Sequence, residues 1–259
     1  MSTVLTETRD HVRFITLNRP ERHNAFDDGM IRELTKAFAA ATAAPDLRAV
    51  VLESAGRSFS AGADIDWMRR MADYDRDRNL ADARALASLM RVIDTCPHPV
   101  VGVVQGAAYG GGVGLAACCD LVVAAQEAGF CLSEVKIGII PAVISPYVVR
   151  SIGAPAARRY FLTAEVIPAA TAQVIGLVHE VVPSGELAAT RDAWLAALKA
   201  NSPNALTAAK GLVAHLTPVD PAVIEWTAER IADLRASDQG QEGLRAFLEK
   251  RKPSWISLQ

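Results

Sequence analysis

Cysteine is scarce in this 259-residue chain, and its placement argues against most cysteine chemistry. Only Cys96, Cys118, Cys119 and Cys131 occur, two of them adjacent and none at metal-ligand spacing. Neither a disulfide framework nor a zinc site is expected, and a reducing compartment fits this usage. Long apolar runs are also missing: no stretch approaches the length that spans a bilayer. The N-terminus, MSTVLTETRDHVRF, carries charges where a signal peptide needs an apolar stretch, so a cytoplasmic protein without a membrane partner is expected. Charge of one sign is lacking too. The formal net charge is −2 with 22% charged residues, and no basic cluster stands ready for phosphates, which argues against nucleic acid. There is no G-x-S-x-G elbow and no P-loop, which removes the main support for serine-hydrolase and NTPase readings.

What is present is apolar substance. Hydrophobic residues make up 51% of the chain, and a chain of this size buries roughly 75% of its unfolded surface. Val12 to Leu17 is a short apolar run closed by Asn18-Arg19-Pro20, which predicts a strand and a turn. From Asp27 onward, Met30, Leu34, Ala37, Phe38 and Ala41 recur at helical spacing, and Arg48 to Glu53 is the next strand. A small-residue loop, Ser54 to Ala63, precedes a stretch from Ile65 to Thr95 whose pattern predicts one long helix, broken by Pro97 and Pro99. Pro99 to Val104 and Leu121 to Ala125 are expected as strands, with a short helix over Leu115 to Cys119 between them. Strand, turn, helix and strand thus recur, which implies α/β architecture. The character changes near Gly185, after which only helical patterns remain; the expected division is a core over 1–198 and a helical region over 199–259.

Three segments have the composition of a site. Arg57-Ser-Phe-Ser-Ala-Gly-Ala-Asp64 is a small-residue loop after a strand, and Gly106-Ala-Ala-Tyr-Gly-Gly-Gly-Val-Gly114 opens a short apolar helix. The third, Phe130 to Pro141, sets Glu134 among mostly apolar residues. Small residues let a ligand approach backbone N–H groups, and a helix start leaves such donors unpaired at the positive end of its dipole. Two such loops converging could hold a developing oxyanion. Each segment also has a plainer reading: the glycine run as a tight turn, Glu134 as a rim carboxylate, Asp120 as a structural partner for backbone. Trp67, Met68 and Met71 read as packing, and the five scattered histidines receive no role. Gly112-Val-Gly114-Leu-Ala-Ala117 matches the dinucleotide fingerprint G-x-G-x-x-A, with Glu134 twenty residues beyond Gly114. That fingerprint wants its first glycine directly after the strand, whereas seven residues separate Val104 from Gly112.

Taken together and in order, these segments resemble the crotonase (enoyl-CoA hydratase/isomerase) superfamily. Asn18-Arg-Pro-Glu-Arg-His-Asn-Ala-Phe26 is similar to its N-R-P-x-x-x-N-A motif, Phe59-Ser-Ala-Gly-Ala-Asp64 to F-x-A-G-A-D, and Gly110 to Gly112 to the following G-G-G. Ser133 to Pro141 resembles P-E-x-x-x-G-x-x-P, and Gly243 to Pro253 the family's G-x-x-A-F-x-E-K-R-x-P ending. The resemblance implies a crotonase-like spiral of ββα repeats with a C-terminal helical trimerisation region, assembled as a homo-trimer or hexamer. It implies a coenzyme A thioester as substrate, with coenzyme A entering as part of that substrate, no resident cofactor and no metal. The N–H groups of Ala63 and Gly111 match its oxyanion-hole positions. Ala61, Ala63, Asp64, Ile65, Asp66, Gly110, Gly111, Pro141 and Ala142 are implied along the thioester and its arm, Arg22 and Ala25 near the coenzyme A head group, and Lys250 or Lys252 near a phosphate.

One departure matters. Two-glutamate hydratases of the family carry one glutamate two residues after the G-G-G and another twenty residues later; here Gly114 stands at the first position and Glu134 at the second. Single-glutamate members include Δ3,Δ2-enoyl-CoA isomerases, which shuttle one proton. Glu134 to Arg150 together with Gly-Gly-Gly-Val-Gly-Leu resembles instead the bacterial methylglutaconyl-CoA hydratase branch, whose substrates carry a distal carboxylate. Lys136, Tyr147 and Arg150 are candidates to bind that carboxylate. The expectation is an enoyl-CoA hydratase, with isomerase or a non-catalytic CoA-binding scaffold of the same fold as alternatives.

Overall fold

The structure is a computed structural model in which residues 2–256 are described. The chain opens with a hairpin. Strand β1 (Val4–Arg9) pairs antiparallel with β2 (Val12–Leu17) through a two-residue turn whose Asp10 and His11 both take positive φ. Such a turn twists in the sense that flanking strands require. Strand β1 buries only Val4, so it carries no apolar alternation and is not legible as a strand from its sequence. Helix α1 (Asp28–Thr42) follows, started by Asp27, whose side chain accepts from the Met30 N–H. Its face of Met30, Leu34, Phe38 and Ala41 is fully buried, as the spacing predicts.

Strand β3 (Ala49–Ser54) then joins β2 in parallel. The stretch after it is not one helix but two, α2 (Ile65–Ala72) and α3 (Arg76–Asp94). The break lies at Asp73 to Asp75. Asp75 caps α3 by accepting from the Arg78 N–H, and Asn79 Nδ2 donates to the Tyr74 and Asp75 carbonyls at 3.1 Å each. A capping carboxylate thus outcompetes helix continuation, because it satisfies donors that an unbroken helix would not leave free.

Strands β4 (Val100–Val104) and β6 (Leu121–Ala125) flank the glycine cluster, with the two-residue β5 (Ala108–Tyr109) and helix α4 (Gly111–Ala117) between them. Helix α4 starts four residues earlier than the apolar pattern suggests. It is wholly buried from Gly112 to Ala117, and tertiary contact overrides the low helix propensity of glycine. Asp120 is structural: its Oδ2 accepts from the Val100 N–H at 2.7 Å and from Lys210 at 2.6 Å. Strands β7 (Gly129–Cys131), β8 (Val166–Pro168) and β9 (Glu180–Val182) are three residues each, with α5 (Ser145–Thr163) and α6 (Ala169–Val174) around them.

The main sheet runs β1-β2-β3-β4-β6-β9, parallel from β2 onward, and a small sheet runs β5-β7-β8. All five residues of β4 are buried, as a strand covered on both faces should be. The chain ends in four helices: α7 (Leu187–Ala200), α8 (Pro203–Leu216), α9 (Pro221–Ala236) and α10 (Asp238–Leu248). Helix α9 packs along α3, and α10 packs on α2 and on the turn that carries Glu134. Helix α8 has no buried residue and exposes Leu212, Val213 and Leu216. No helix among the described residues is long and apolar enough to cross a membrane.

Candidate active site

Three loops meet at the N-terminus of α4, and the contacts that join them are backbone contacts. Ser60 pairs with Ala108 in an isolated parallel bridge, its N–H donating to the Ala107 carbonyl at 3.0 Å. Phe26 pairs in the same way with Ala63: the Phe26 N–H donates to the Gly62 carbonyl at 2.9 Å and the Asp64 N–H to the Phe26 carbonyl at 3.0 Å. Asn24 is completely buried beneath these loops. Its Nδ2 donates to the Ala55 and Ser58 carbonyls at 2.7 and 2.8 Å, and its Oδ1 accepts from the Arg19 N–H at 2.8 Å.

Glycine is needed where the loops touch. At Gly62, φ is +86°, and a Cβ would lie 3.0 Å from the Tyr109 carbonyl oxygen and 3.9 Å from Gly110 Cα. At Gly111 a Cβ would lie 2.2 Å from Cζ of Phe26, so no other residue fits under that ring. The N–H groups on either side of Ala63 are both used, Gly62 donating to Ser60 Oγ at 3.2 Å and Asp64 to the Phe26 carbonyl, but its own is not. Among the described residues, the N–H of Ala63 and that of Gly111, the first residue of α4, find no acceptor. Two unpaired donors thus sit on adjoining turns, one of them at a helix N-terminus.

Glu134 faces the same turns. It begins a 3-10 turn, Glu134–Ile137, that ends at Gly138 with φ +73°. That glycine lies against α10: a Cβ there would be 2.5 Å from the Gln239 carbonyl oxygen. Glu134 Oε1 is 3.2 Å from where a Cβ on Gly110 would stand, while Oε2 is buried without a hydrogen-bond partner among the described residues. Burial pushes its pKa up to about 7, partly offset by a backbone hydrogen bond and the charge of Arg235. A carboxyl group so placed exchanges protons at neutral pH.

These groups open on a cavity of about 350 Å³. Ala61, Ala63, Gly110, Gly111, Glu134, Pro141 and Ala142 line it. Trp67, Met68 and Met71, read as packing from the sequence, are almost completely buried and also form its wall. The remaining expected residues lie outside the lining. Asp64 is 3% exposed and structural: it caps α2 by accepting from the Asp66 and Trp67 N–H groups, and it pairs with Arg19 at 3.1 Å. Ala25 is buried away from the cavity, and Ile65 points out, 46% exposed. Arg22 and Asp66 form an exposed ion pair at 3.3 Å. Neither Lys250 nor Lys252 lines the cavity; from that tail Arg251 does, held by Glu242 at 2.7 Å.

Gly114 is buried outside the lining, and the space beside it is filled. A Cβ there would be 2.3 Å from Cγ2 of Ile144 and 3.3 Å from Cε of Met90. Of the three carboxylate-binding candidates, Lys136 lines the cavity. Tyr147 is 1% exposed and does not. Arg150 is bound to Asp94 and borders a separate hollow with Trp226 and Val219. Both lie on α5, which packs on α4.

Arg235, in the last turn of α9, is a charged lining residue that the sequence did not point to. It lies in no motif, and the packing of α9 on α3, α10 and α2 carries it there.

The comparisons agree with this architecture. Residues 7–257 match the sequence profile of the family described as enoyl-CoA hydratase/isomerase. The 2,3-dehydroadipyl-CoA hydratase of Escherichia coli K12 is 34% identical over 258 residues, covering 98% of this chain and 99% of its own. The crystal structure of an enoyl-CoA hydratase from Shewanella pealeana is 43% identical, with a TM-score of 0.81 over 98% of this chain and 96% of its own. That of an enoyl-CoA hydratase from Mycobacterium avium is 34% identical, with a TM-score of 0.85 over 98% and 99%. With a matching profile along nearly its whole length and the same fold as these enzymes, the chain belongs to the enoyl-CoA hydratase/isomerase, or crotonase, family.

Proposed function

We propose that this protein adds water across the 2,3 double bond of an enoyl-CoA thioester. The observation that carries the reading is the pair of unpaired N–H donors, Ala63 and Gly111, on adjoining turns beside Glu134. The thioester oxygen accepts from both donors, which stabilises the enolate that forms when a nucleophile adds at C3. Each donor of this kind is worth about 10²–10³ in rate. Glu134 as carboxylate takes a proton from water; the resulting hydroxide adds to C3; Glu134 then delivers that proton to C2 and is a carboxylate again. One group suffices for both transfers if its pKa is near the working pH, and burial supplies that value.

The resemblance implies the segment from Ala63 to Asp66, with Arg22 and Ala25, for the coenzyme A arm; Ala63 lines the cavity, Arg22 and Ile65 are exposed and Asp66 partly exposed outside it, and Gly114 marks where a second carboxylate is replaced. The resemblance to methylglutaconyl-CoA hydratases and the E. coli relative named for 2,3-dehydroadipyl-CoA favour an acyl chain with a distal carboxylate. The exposed apolar row of α8 (Leu212, Val213 and Leu216) and Trp226 of α9 suit self-association as a trimer or a hexamer. Four free cysteines, three of them buried, suit the cytoplasm.

A second reading has an observation of its own. Ile144 fills the position from which a second glutamate would hold water, so a proton shuttle by Glu134 alone, a Δ3,Δ2-enoyl-CoA isomerase, also fits. Incubation with crotonyl-CoA, a 3-enoyl-CoA and 3-methylglutaconyl-CoA separates the two. A product heavier by one water supports hydration; a moved double bond at unchanged mass supports isomerisation; saturable binding without turnover of any of them would overturn both.

A further inference from the structure

The charged residues of the cavity lining are Glu134, Lys136, Arg235 and Arg251, three cations against one carboxyl group whose pKa burial pushes up to about 7. The three cations are not alike. Lys136 is exposed to solvent, and Arg251 is tied to Glu242 and Glu249. Arg235 is half-buried, and its Nη1 is cut off from solvent with no hydrogen-bond partner among the described residues. The acidic groups whose charge reaches it are Asp82 and Glu134, and neither forms an ion pair with it among the described residues. Asp82 is itself held by Trp67 Nε1 at 3.1 Å. Ile231, Leu244, Leu86 and Met68 supply apolar surface to the same cavity.

A guanidinium nitrogen withdrawn from water and left without an acceptor is unfavourable. Burial does draw its pKa down, to about 10, which still leaves it charged at neutral pH. A residue with such a nitrogen on the cavity wall is completed by a ligand that brings the anion. A carboxylate matches the planar fork of arginine with two parallel hydrogen bonds.

We propose that Arg235 is the specificity-determining residue that receives a carboxylate at the far end of the acyl chain, so that the preferred ligands are mono-thioesters of dicarboxylic acids. The proposal rests on the reading of the cavity as an acyl-CoA site, but not on which reaction follows. It also assigns the role to a residue of α9 in preference to Lys136, whose ammonium stays hydrated and gains less from pairing.

The test uses unreactive saturated esters, so that binding is read without turnover. Calorimetric titration of the whole protein with a six-carbon acyl-CoA ending in a carboxylate and with one ending in a methyl group gives a ratio of dissociation constants. The wild type is expected to prefer the carboxylate at least about tenfold, the scale of one buried charge pair. Arg235→Met and Arg235→Gln should abolish that preference, Arg235→Lys should keep part of it, and Lys136→Met should keep it whole. Equal binding of the two esters by the wild type, or a preference that survives Arg235→Gln or vanishes in Lys136→Met, would overturn the proposal. Absence of binding of either ester by the folded wild type would instead sink the acyl-CoA reading itself. If instead Arg235 serves only to tune Glu134, its variants will shift the pH profile of turnover and leave the ratio where it was, which also counts against the proposal.

Discussion

Ile144 stands where a side chain on Gly114 would have to be: its Cγ2 is 2.3 Å and its Cβ 2.8 Å from the position of a Cβ there. The missing second glutamate is therefore not a gap waiting for water but a packed apolar contact between α4 and the start of α5.

That contact gives a stability prediction. Gly114→Ala should destabilise the protein by about 1–3 kcal/mol through overpacking. Combining it with Ile144→Ala should recover a large part of the loss, since the second change removes the atoms that clash. Urea denaturation of the two single variants and the double variant checks this, and simple additivity would mean that the two positions do not share the space.

Glu134 sets the chemistry. Glu134→Gln is expected to lower turnover by at least about 10² while thioester binding is nearly retained. In the wild type the carboxylate is the active form, so kcat/KM should rise with pH through an inflection near 7 instead of near the ordinary glutamate value. A rate that is flat between about pH 5.5 and 8.5 would remove Glu134 from the proton transfer.

The same burial has a cost in stability. Below the unfolded-state pKa of glutamate the group is protonated in both states and contributes nothing. As pH rises toward 7, the unfolded chain loses its proton first, so stability falls through this window and stays lowered above it. Glu134→Gln should therefore raise the melting temperature at pH 8 and leave it nearly unchanged at pH 4, the difference amounting to at most about 3 kcal/mol. An equal effect at both values would show that the gain does not come from the charge.

The Asn24 side chain, fully buried, joins its own loop to that of Ala55 and Ser58 through two hydrogen bonds and accepts a third from Arg19 within its own loop. Asn24→Ala strands two carbonyls and one N–H and should cost about 2–4 kcal/mol. Because those loops carry Phe26 and Ala63, turnover measured under conditions where the variant is still folded should fall as well. A variant that loses stability but keeps full turnover would show that the turns at Ala63 and Gly111 are fixed by other contacts.

Removal of the chain after residue 200 should abolish both self-association and ligand binding. Helix α8 supplies the exposed apolar row, while α9 and α10 supply Ile231, Arg235 and Leu244 to the cavity of the same chain. Light scattering and titration with an acyl-CoA follow the two properties separately; a truncated chain that remains trimeric would place the assembly surface elsewhere.

The ordered motifs from Asn18 to Pro253 determined the family, the converging loops and the lone glutamate, because each is local: a glycine at a close approach, a small residue before a donor, a cap before a helix. The apolar periodicity determined α1, β2, β3, β4 and β6, whose buried faces leave a regular imprint. Strands β1, β7, β8 and β9 left none, being edge-exposed or only three residues long. Only tertiary structure decided that Ile144 closes the space at Gly114, that Tyr147 and Arg150 turn away from the cavity, and that Arg235 turns into it. Those are contacts between residues thirty or more positions apart, or the result of how one helix face docks on another. A helix whose polar residues read as a solvated surface can place one of them in an apolar wall, and only the helix it packs against fixes which one.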